Sequence, residues 1–351
     1  MKQPNLYLAW FIEGSSTASL LIPFINLTNC SSSLSLEYRN LIHVKIKMIR
    51  KHRIGINYLL YIDGFKNHTL TTNRVKKGLG LKGICMQDGL VEKFKRIFAK
   101  RGRSIILAYD HGIEHGPTDF LENPDSADPS YIVKLARDAG FDGIVLQRGV
   151  AEKYYDGGVP LIVKLNGKTS LYTGEPLSVA NCTVEEAVSL GASAVGYTIY
   201  AGSGYEWKMF EEVARIKRDA LKFDIPLVIW SYPRGGKVKD ETAPEIVAYA
   251  ARVALEVGAD AMKIKYTGDP KTFSWAVKVA GKVPVLMSGG PKTKTEVEFL
   301  KQVEGVIEAG ALGIAVGRNV WQRRDALKFA QVLGKLVYED RKVEELAGEL
   351  Q

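Results

Sequence analysis

The sequence predicts a (β/α)8 barrel over residues 86–351, preceded by a segment of different composition. From residue 104 onward, eight short apolar runs rich in β-branched residues alternate with amphipathic stretches of helical period. Continuous apolar strands that alternate with helices indicate a parallel sheet with covered faces, and eight such units over about 250 residues are typical of a closed barrel. A doubly wound open sheet is the alternative. No Gly-x-Gly-x-x-Gly motif follows the first strand, which disfavours a dinucleotide-binding version.

The predicted strands follow one another with room for a helix between most of them. They are SIILAYD (104–110), DGIVLQ (142–147), PLIVKL (160–165), SAVGYTIY (193–200), PLVIWSY (226–232), DAMKIKY (260–266), VPVLMSGG (283–290) and ALGIAVGR (311–318). The helices include EWKMFEEVARIKRDALKF and APEIVAYAARVALEVG, the second of which should end before Gly258. A further amphipathic stretch, DGLVEKFKRIFAKRG, precedes the first strand, and its apolar stripe consists of Leu90, Phe94, Ile97 and Phe98.

Residues 1–85 differ from the rest of the chain in composition and charge. They hold 12 of the 48 basic residues but only 3 of the 39 acidic ones, so the remaining residues are balanced at 36 of each. The segment lacks a sustained helical or strand period and contains an unpatterned basic run, KIKMIRKHR. We expect it to be a poorly ordered extension or an upstream translation artefact. Because the barrel is balanced, the net charge of +9 gives no support for nucleic-acid binding there.

Cysteine usage and hydropathy restrict the compartment. Cys30, Cys85 and Cys182 have no Cys-x-x-Cys spacing, which fits a reducing compartment and argues against a structural zinc site, and no metal or cofactor is implied. The apolar runs LYLAWFI and LLIPFINL are too short to span a bilayer. We therefore predict a cytoplasmic protein without a membrane partner.

The ends of the predicted strands concentrate polar residues, and catalytic groups of a barrel come from these carboxyl ends. The last two strands end in Ser288, Gly289 and Gly290, and in Gly317 and Arg318. Glycines let backbone N–H groups approach a phosphate closely, and an arginine can bind its oxygens with two hydrogen bonds. The sequence thus favours a phosphorylated substrate, although these glycines could also serve only to turn the chain.

Lys263 and Lys265 lie two residues apart in the sixth strand, so their side chains should share one face. If that face is the barrel interior, the two ammonium groups repel each other and are desolvated, and both effects lower the pKa of a lysine. A neutral amine can then attack a carbonyl, which is Schiff-base chemistry. The alternative is that one or both lysines reach the barrel mouth as counter-charges for phosphate.

Residues at other strand ends could assist an amine. Tyr232 on the fifth strand could transfer a proton, and Asp110 could hold an ammonium or carbinolamine or could be a turn residue. His111 and His115 are candidate phosphate or sugar contacts or hydrogen-bonded turn residues. No Ser-His-Asp arrangement and no His-Glu-x-x-His motif is visible.

These residues resemble the archaeal-type class I, Schiff-base-forming fructose-1,6-bisphosphate aldolases. The resemblance extends from residue 87 to about residue 340 and includes ILAYDHGIEHGP, WSYPRGGK, MKIKYTGDPKTFSWAVKVAGKVPVLMSGGPKTKTE and GIAVGRNVWQRR. It implies reversible, metal-free cleavage of fructose 1,6-bisphosphate in glycolysis and gluconeogenesis on a (β/α)8 barrel, and a homo-oligomer, commonly a decamer. The first 85 residues match nothing in that family.

The resemblance also implies residue roles. It places the Schiff-base lysine at Lys263, with Lys265 as a neighbouring binding or pKa-lowering group, and the proton-transferring tyrosine at Tyr232. Its first-strand aspartate is Asp110. The remaining positions are implied to bind the substrate: Trp230, Arg234, Ser288, Gly289, Gly290, Gly317 and Arg318.

Three other functions remain open at this point. A related lysine enzyme, either an amino-dideoxyheptulosonate synthase or a transaldolase-like enzyme, would use the same amine, although the loop DHGIEHGP favours the bisphosphate. A regulatory barrel would bind sugar phosphate without turnover. Nucleic acid could bind the basic extension, and a gel shift comparing the full chain with one that starts at Met86 would detect it.

The native start of the protein is the first testable prediction. If Met86 lies near it, intact mass spectrometry of protein from the native organism should find a chain well below 38.8 kDa. A native mass near the full value would contradict this interpretation.

Overall fold

The computed structural model describes residues 102–350 continuously, together with residues 94, 95, 97, 98 and 100 and four strands nearer the amino terminus. The chain divides into two compact units, Met1–Cys85 and Met86–Gln351. No helix in the described part of the chain combines the length and the apolar character that a bilayer crossing needs.

The first unit contains a four-stranded antiparallel sheet whose strands pair in chain order. The sequence analysis did not anticipate these strands. The interpretation of residues 1–85 as a poorly ordered extension or an upstream translation artefact stays a prediction. The strands are Phe11–Glu13, Thr17–Pro23, Leu41–Met48 and Tyr58–Ile62.

The second unit is a closed barrel of eight parallel strands, as predicted. They are β1 (Ser104–Tyr109), β2 (Gly143–Gln147), β3 (Leu161–Lys164), β4 (Ala194–Ala201), β5 (Leu227–Pro233), β6 (Ala261–Ile264), β7 (Val285–Ser288) and β8 (Gly313–Val316). Each strand pairs with its neighbours in chain order, and β8 pairs with β1 from Gly313↔Ser104 to Val316↔Leu107. This last pairing closes the sheet and excludes the doubly wound alternative.

One main helix follows each strand. The helices are α1 (Pro129–Asp138), α2 (Arg148–Tyr154), α3 (Val184–Ser189), α4 (Glu206–Lys222), α5 (Pro244–Glu256), α6 (Pro270–Val279), α7 (Glu296–Glu308) and α8 (Ala326–Glu339). Side chains that accept the first free backbone N–H groups explain several of their starts. Thr183 forms a reciprocal capping box with Glu186 at α3, and Asp269 accepts from the Thr272 N–H at α6. The predicted α4 and α5 are confirmed, and α5 ends before Gly258 as expected.

Several shorter helices and turns connect or follow the main strands and helices. Three short helices cover His111–His115, Arg318–Trp321 and Val343–Leu346, and 3-10 turns cover Pro117–Phe120, Pro124–Ala127 and Ala347–Leu350. Asn166–Gly167 and Val179–Ala180 form a two-stranded antiparallel pair between β3 and β4.

Alternation along the strands produces two apolar layers. Outward side chains such as Leu107, Ile144 and Ile314 join a large core with the helices. All eight strands contribute to the inward layer. Ile97 packs against this layer, and Phe94 and Phe98 are partly buried beside it, so three residues of the predicted apolar stripe lie on the barrel. The fourth, Leu90, lies outside the described residues. The inward strand residues are Ile106, Ala108, Val145, Ile162, Ala194, Val228, Trp230, Ala261, Leu286 and Ala315.

Candidate active site

The carboxyl end of the barrel interior holds a buried lysine, Lys263. It follows the inward residue Ala261 by two positions on β6, and it pairs in register with Trp230 on β5 and Leu286 on β7. Only 4% of the residue is exposed. The strand period therefore carries this amine into the interior, as the sequence predicted.

The surroundings of Lys263 lower its pKa to about 8. Burial is the largest cause, because it penalises the charged ammonium; the Asp110 carboxylate raises the pKa, and the nearby Lys164 ammonium lowers it. The result is an amine that loses its proton far more readily than an ordinary lysine.

Lys164 is the functional candidate that the sequence analysis missed. It lies buried at the end of β3, with its Nζ 3.8 Å from Oδ2 of Asp110, and it donates a 3.2 Å hydrogen bond to the backbone oxygen of Asn166. Burial lowers its pKa as well. The run PLIVKL already indicated a buried lysine at a strand end. Lys164 is the last residue of an apolar strand, and Lys263 is the last but one residue of β6.

Asp110 interacts electrostatically with both amines. Burial alone would raise its pKa, but the positive charges of Lys263 and Lys164 outweigh burial and hold the pKa below its usual value. Asp110 is therefore an anion in the resting site. Its negative charge therefore interacts with the ammonium groups of both lysines.

The indole of Trp230 lies beside both lysines. The Nζ atoms of Lys164 and Lys263 each lie 5.4 Å from the centre of an indole ring face at Trp230, within the range of a cation–π contact. Gly196 makes room for this ring, since a Cβ there would lie 2.3 Å from Cζ3 of Trp230. The indole thus occupies space that is open because β4 has no side chain at Gly196.

Lys265 does not occupy the place expected from strand alternation. β6 ends at Ile264, and the Lys265 ammonium forms an ion pair with Glu241. Arg234 binds the same carboxylate, with 2.8 Å from its Nε to Oε1 of Glu241, and lies 3.4 Å from Glu114. Lys265 and Arg234 therefore belong to a second charged group, and the ammonium that lowers the pKa of Lys263 comes from β3.

Tyr232 stands at the end of β5, as predicted. Its hydroxyl lies 3.1 Å from Oγ of Ser288 on β7, within hydrogen-bond distance. Burial raises the pKa of Tyr232 well above its ordinary value. The resting side chain is a protonated phenol placed between two strand ends.

The histidines after β1 differ in environment. Burial lowers the pKa of His111 to about 3, so its imidazole is neutral at physiological pH. Its Nδ1 lies 3.7 Å from Oδ1 of Asp110. His115 is more exposed, and its Nδ1 lies 3.7 Å from Oδ2 of Asp119.

The glycines after β7 and β8 stand close to the site. A Cβ on Gly317 would lie 2.4 Å from Cε1 of His111, and Gly290 has a φ of +64°, so both positions favour glycine. Arg318 follows directly, with an Nη1 atom 3.7 Å from Oδ2 of Asp119. The predicted phosphate residues Ser288, Gly289, Gly290, Gly317 and Arg318 are therefore adjacent in two neighbouring loops.

Unused polar atoms concentrate at this end of the barrel. The described residues include five buried side-chain polar atoms without a hydrogen-bond partner, and four of them belong to residues of this region: His111, Asp119, Trp230 and Arg318. Buried polar groups are normally paired, so such a concentration indicates a ligand site. Among the described residues, no group of three His, Cys, Asp or Glu side chains could hold a metal ion.

Comparisons with known proteins agree with this chemistry. The profile of the DeoC/LacD family aldolases matches residues 104–323. A class 1 fructose-bisphosphate aldolase of Thermoproteus tenax is 84% identical over 256 residues, which cover 73% of this chain and 97% of that protein. The class 1 enzyme of Halobacterium salinarum is 46% identical over 255 residues, 72% of this chain and 97% of its own.

A solved structure resembles the barrel closely. It is an archaeal fructose-1,6-bisphosphate aldolase whose catalytic lysine is covalently bound to the carbinolamine intermediate of the substrate. The two chains are 85% identical, with a TM-score of 0.70 and coverage of 71% of this chain and 99% of the other.

The charges around Lys263 generate a testable prediction. Replacing Lys164 by Met removes a positive charge and should raise the pKa of Lys263 above about 8, whereas Asp110→Asn removes a negative charge and should lower it. Carbamylation, in which the neutral amine attacks isocyanic acid formed from cyanate, followed by peptide mass mapping across a pH series would measure both shifts. The exposed Lys222 in the same digest is the internal reference. Equal midpoints in all three proteins would contradict this electrostatic account.

Proposed function

Because the chain belongs to the DeoC/LacD family of aldolases, and among these to the class 1 fructose-bisphosphate aldolases, we propose that it cleaves fructose 1,6-bisphosphate reversibly to glycerone phosphate and D-glyceraldehyde 3-phosphate. The observation that carries this proposal is the buried amine of Lys263, whose pKa is about 8. At pH 7 such a lysine is neutral in about one molecule in ten, against about one in three thousand for an ordinary lysine. The neutral fraction is the nucleophile.

Lys263 forms the covalent intermediate in this proposal. Its amine attacks the C2 carbonyl of the open-chain sugar and gives a carbinolamine, which loses water to become an iminium ion. The C3–C4 bond then breaks, and its electrons move into a C2–C3 double bond as the iminium nitrogen becomes neutral. The Tyr232 phenol then protonates the enamine at C3 and so regenerates an iminium ion. Water adds to this iminium and returns a proton to the phenolate, and collapse of the carbinolamine releases glycerone phosphate and the free lysine.

Tyr232 moves the protons. Because its pKa is raised, the resting phenol acts first as an acid and gives its proton to the carbinolamine hydroxyl as water leaves. The resulting phenolate, beside a cationic iminium, then takes the proton from the C4 hydroxyl as the C3–C4 bond breaks. The phenol is thereby restored within one cycle.

Asp110 and Lys164 support the amine. The Asp110 carboxylate holds the carbinolamine and balances the iminium charge that appears on Lys263. Lys164, held by the backbone oxygen of Asn166, keeps its own proton and so makes loss of the proton from Lys263 easier. The indole of Trp230 contacts both amines.

Two phosphate sites complete the proposal. The first phosphate, on C1 of the sugar, binds the loops after β7 and β8, through the N–H groups of Gly290 and Gly317 and the guanidinium of Arg318. The second binds Arg234 and Lys265, which face Glu241 together across the mouth. Ser288 and Gly289 shape the first site.

The two histidines bind the sugar in this proposal. His111 is neutral, so it can donate or accept a single hydrogen bond without adding charge near Asp110. His115 lies closer to solvent beside Asp119, where a sugar hydroxyl or a phosphate oxygen can reach it.

We propose that the protein works in the cytoplasm as a homo-oligomer, a decamer as in the family that it resembles. Large exposed aromatic side chains on three outer helices support a subunit interface, because aromatic residues are enriched in such interfaces. Trp207 on α4 is 63% exposed, Tyr249 on α5 70%, and Trp275 on α6 54%.

Borohydride trapping tests the covalent step. Reduction in the presence of fructose 1,6-bisphosphate should leave a stable adduct on Lys263, and chelator should not reduce the yield. Tyr232→Phe should still bind the sugar but lose at least about a hundredfold in cleavage rate. Peptide mass mapping locates the adduct, and coupled detection of glyceraldehyde 3-phosphate measures cleavage.

Three outcomes of that experiment would reject the assignment. An adduct on Lys164 or Lys265 would move the catalytic amine to another strand end. Tight sugar binding without any adduct would indicate a barrel that binds but does not react. Cleavage of a different sugar phosphate in preference to the bisphosphate would indicate a related lysine enzyme.

Arg234→Met tests the second phosphate site. Loss of its guanidinium should raise the KM for fructose 1,6-bisphosphate roughly tenfold to a hundredfold, while the cleavage of fructose 1-phosphate, which lacks that phosphate, should be unchanged. Arg318→Met is the matched control and should impair both substrates. Equal losses on both substrates in Arg234→Met would assign Arg234 to the integrity of the barrel mouth instead.

A further inference from the structure

Asn319 follows Arg318 directly and lies fully buried beneath the loops after β7 and β8. Its side-chain Nδ2 donates to the backbone oxygens of Gly289 at 2.8 Å and Pro291 at 2.7 Å. Its Oδ1 accepts from the backbone N–H of Thr293 at 2.9 Å and from the Thr293 hydroxyl at 3.0 Å. Both donors and the oxygen of this amide are thus bound to the opposite loop.

Because its amide groups are all hydrogen-bonded, Asn319 is limited in what else it can bind. An amide with every position occupied has no capacity left for a substrate oxygen. Its interactions instead connect the residue after Arg318 to the segment 289–293, so the two loops that carry the phosphate donors are joined by one side chain.

Arg323 fixes Asn319 in turn. Its buried guanidinium donates from Nε to the backbone oxygen of Asn319 at 2.8 Å and from Nη2 to the Asn319 Oδ1 at 3.2 Å. The same Nη2 reaches the Thr293 hydroxyl at 3.0 Å, and Nη1 binds Glu296 at 2.7 Å. Asn319 is therefore held from below as well as from the loop.

The peptide plane converts this arrangement into a direction for a phosphate donor. The oxygen of Gly289 and the N–H of Gly290 belong to one trans peptide unit, in which they point in opposite directions. A bond from Asn319 to that oxygen therefore fixes the direction of the Gly290 N–H. This N–H donates to no other described residue, which leaves it available to a ligand.

From these contacts we infer that Asn319 is a positioning residue for the substrate phosphate: it aligns the Gly290 N–H with Arg318 so that both meet the same anion. The inference rests on the proposed function. It assigns Asn319 a role in phosphate recognition that is separate from the amine chemistry at Lys263.

A pair of carbonyl ligands tests this role. Glycerone phosphate and glycerone differ only in the phosphate, and both can be trapped on Lys263 by borohydride. In Asn319→Ala, the concentration of glycerone phosphate that gives half-maximal trapping should rise roughly tenfold or more, while the value for glycerone should not change. Asn319→Asp is the isosteric second variant; it keeps the bonds from Thr293, loses those to Gly289 and Pro291, and should show the same selective loss.

Asn166→Ala is the matched control. Asn166 is an equally buried asparagine whose side chain ties β3 to the backbone of Thr198 on β4 at 2.8 Å, away from the phosphate loops. Its replacement should affect both ligands equally, because it loosens Lys164.

The outcomes separate the inference from the proposed function. Equal weakening of both ligands in the Asn319 variants would reduce Asn319 to a structural residue and overturn the inference, as would no change with either. Absence of any adduct in the unmodified protein would reject the proposed function itself.

Discussion

The site depends on one constraint, the burial of two ammonium groups around a single carboxylate. With all three groups charged, the set formed by Lys164, Lys263 and Asp110 carries one excess positive charge in a desolvated interior, which is unfavourable. Loss of one proton brings the set to electrical neutrality. The barrel therefore makes the free amine of Lys263 much more abundant at neutral pH than in an ordinary lysine, without any external base.

Geometry selects which lysine loses that proton. Lys164 has an ion-pair partner in Asp110 and donates to a carbonyl oxygen, and both interactions require or favour its charged form. Lys263 contacts the indole of Trp230, and the described hydrogen bonds and ion pairs give it no direct partner. In the proposed mechanism the charge therefore stays on Lys164 of β3, and Lys263 of β6 is the nucleophile. Exchanging the two environments would exchange the two roles.

The sequence predicted much of this because strand periodicity is local. Eight continuous apolar runs predicted the strands, and alternation placed Lys263 on one face of its strand; the closed barrel and the burial of Lys263 in its interior confirm the strands and select the inward alternative. Lys265 shows the limit of the same rule, because alternation holds only while the strand continues and β6 ends at Ile264. One residue beyond the strand, the side chain is placed by its partner Glu241 instead.

Contacts between distant loops could not be predicted in this way. Lys164 lies 99 positions before Lys263, and their neighbourhood exists only because the barrel closes. No motif or pattern in the sequence points to Asn319 either, because its inferred role comes from four hydrogen bonds to a loop about thirty residues earlier. Such residues become visible only once the fold fixes which backbone groups lack partners.

Charge pairing at the barrel mouth has a consequence for turnover. Arg318 faces Asp119, and Arg234 and Lys265 share Glu241, so each proposed phosphate cation already has a carboxylate within reach. A phosphate must replace part of that attraction when it binds, which reduces the net gain in binding free energy. When a product leaves, the carboxylate takes the phosphate's place and the cation is not left unpaired. Under the proposed function, the acidic residues that weaken substrate binding therefore also make release of the two phosphorylated products easier.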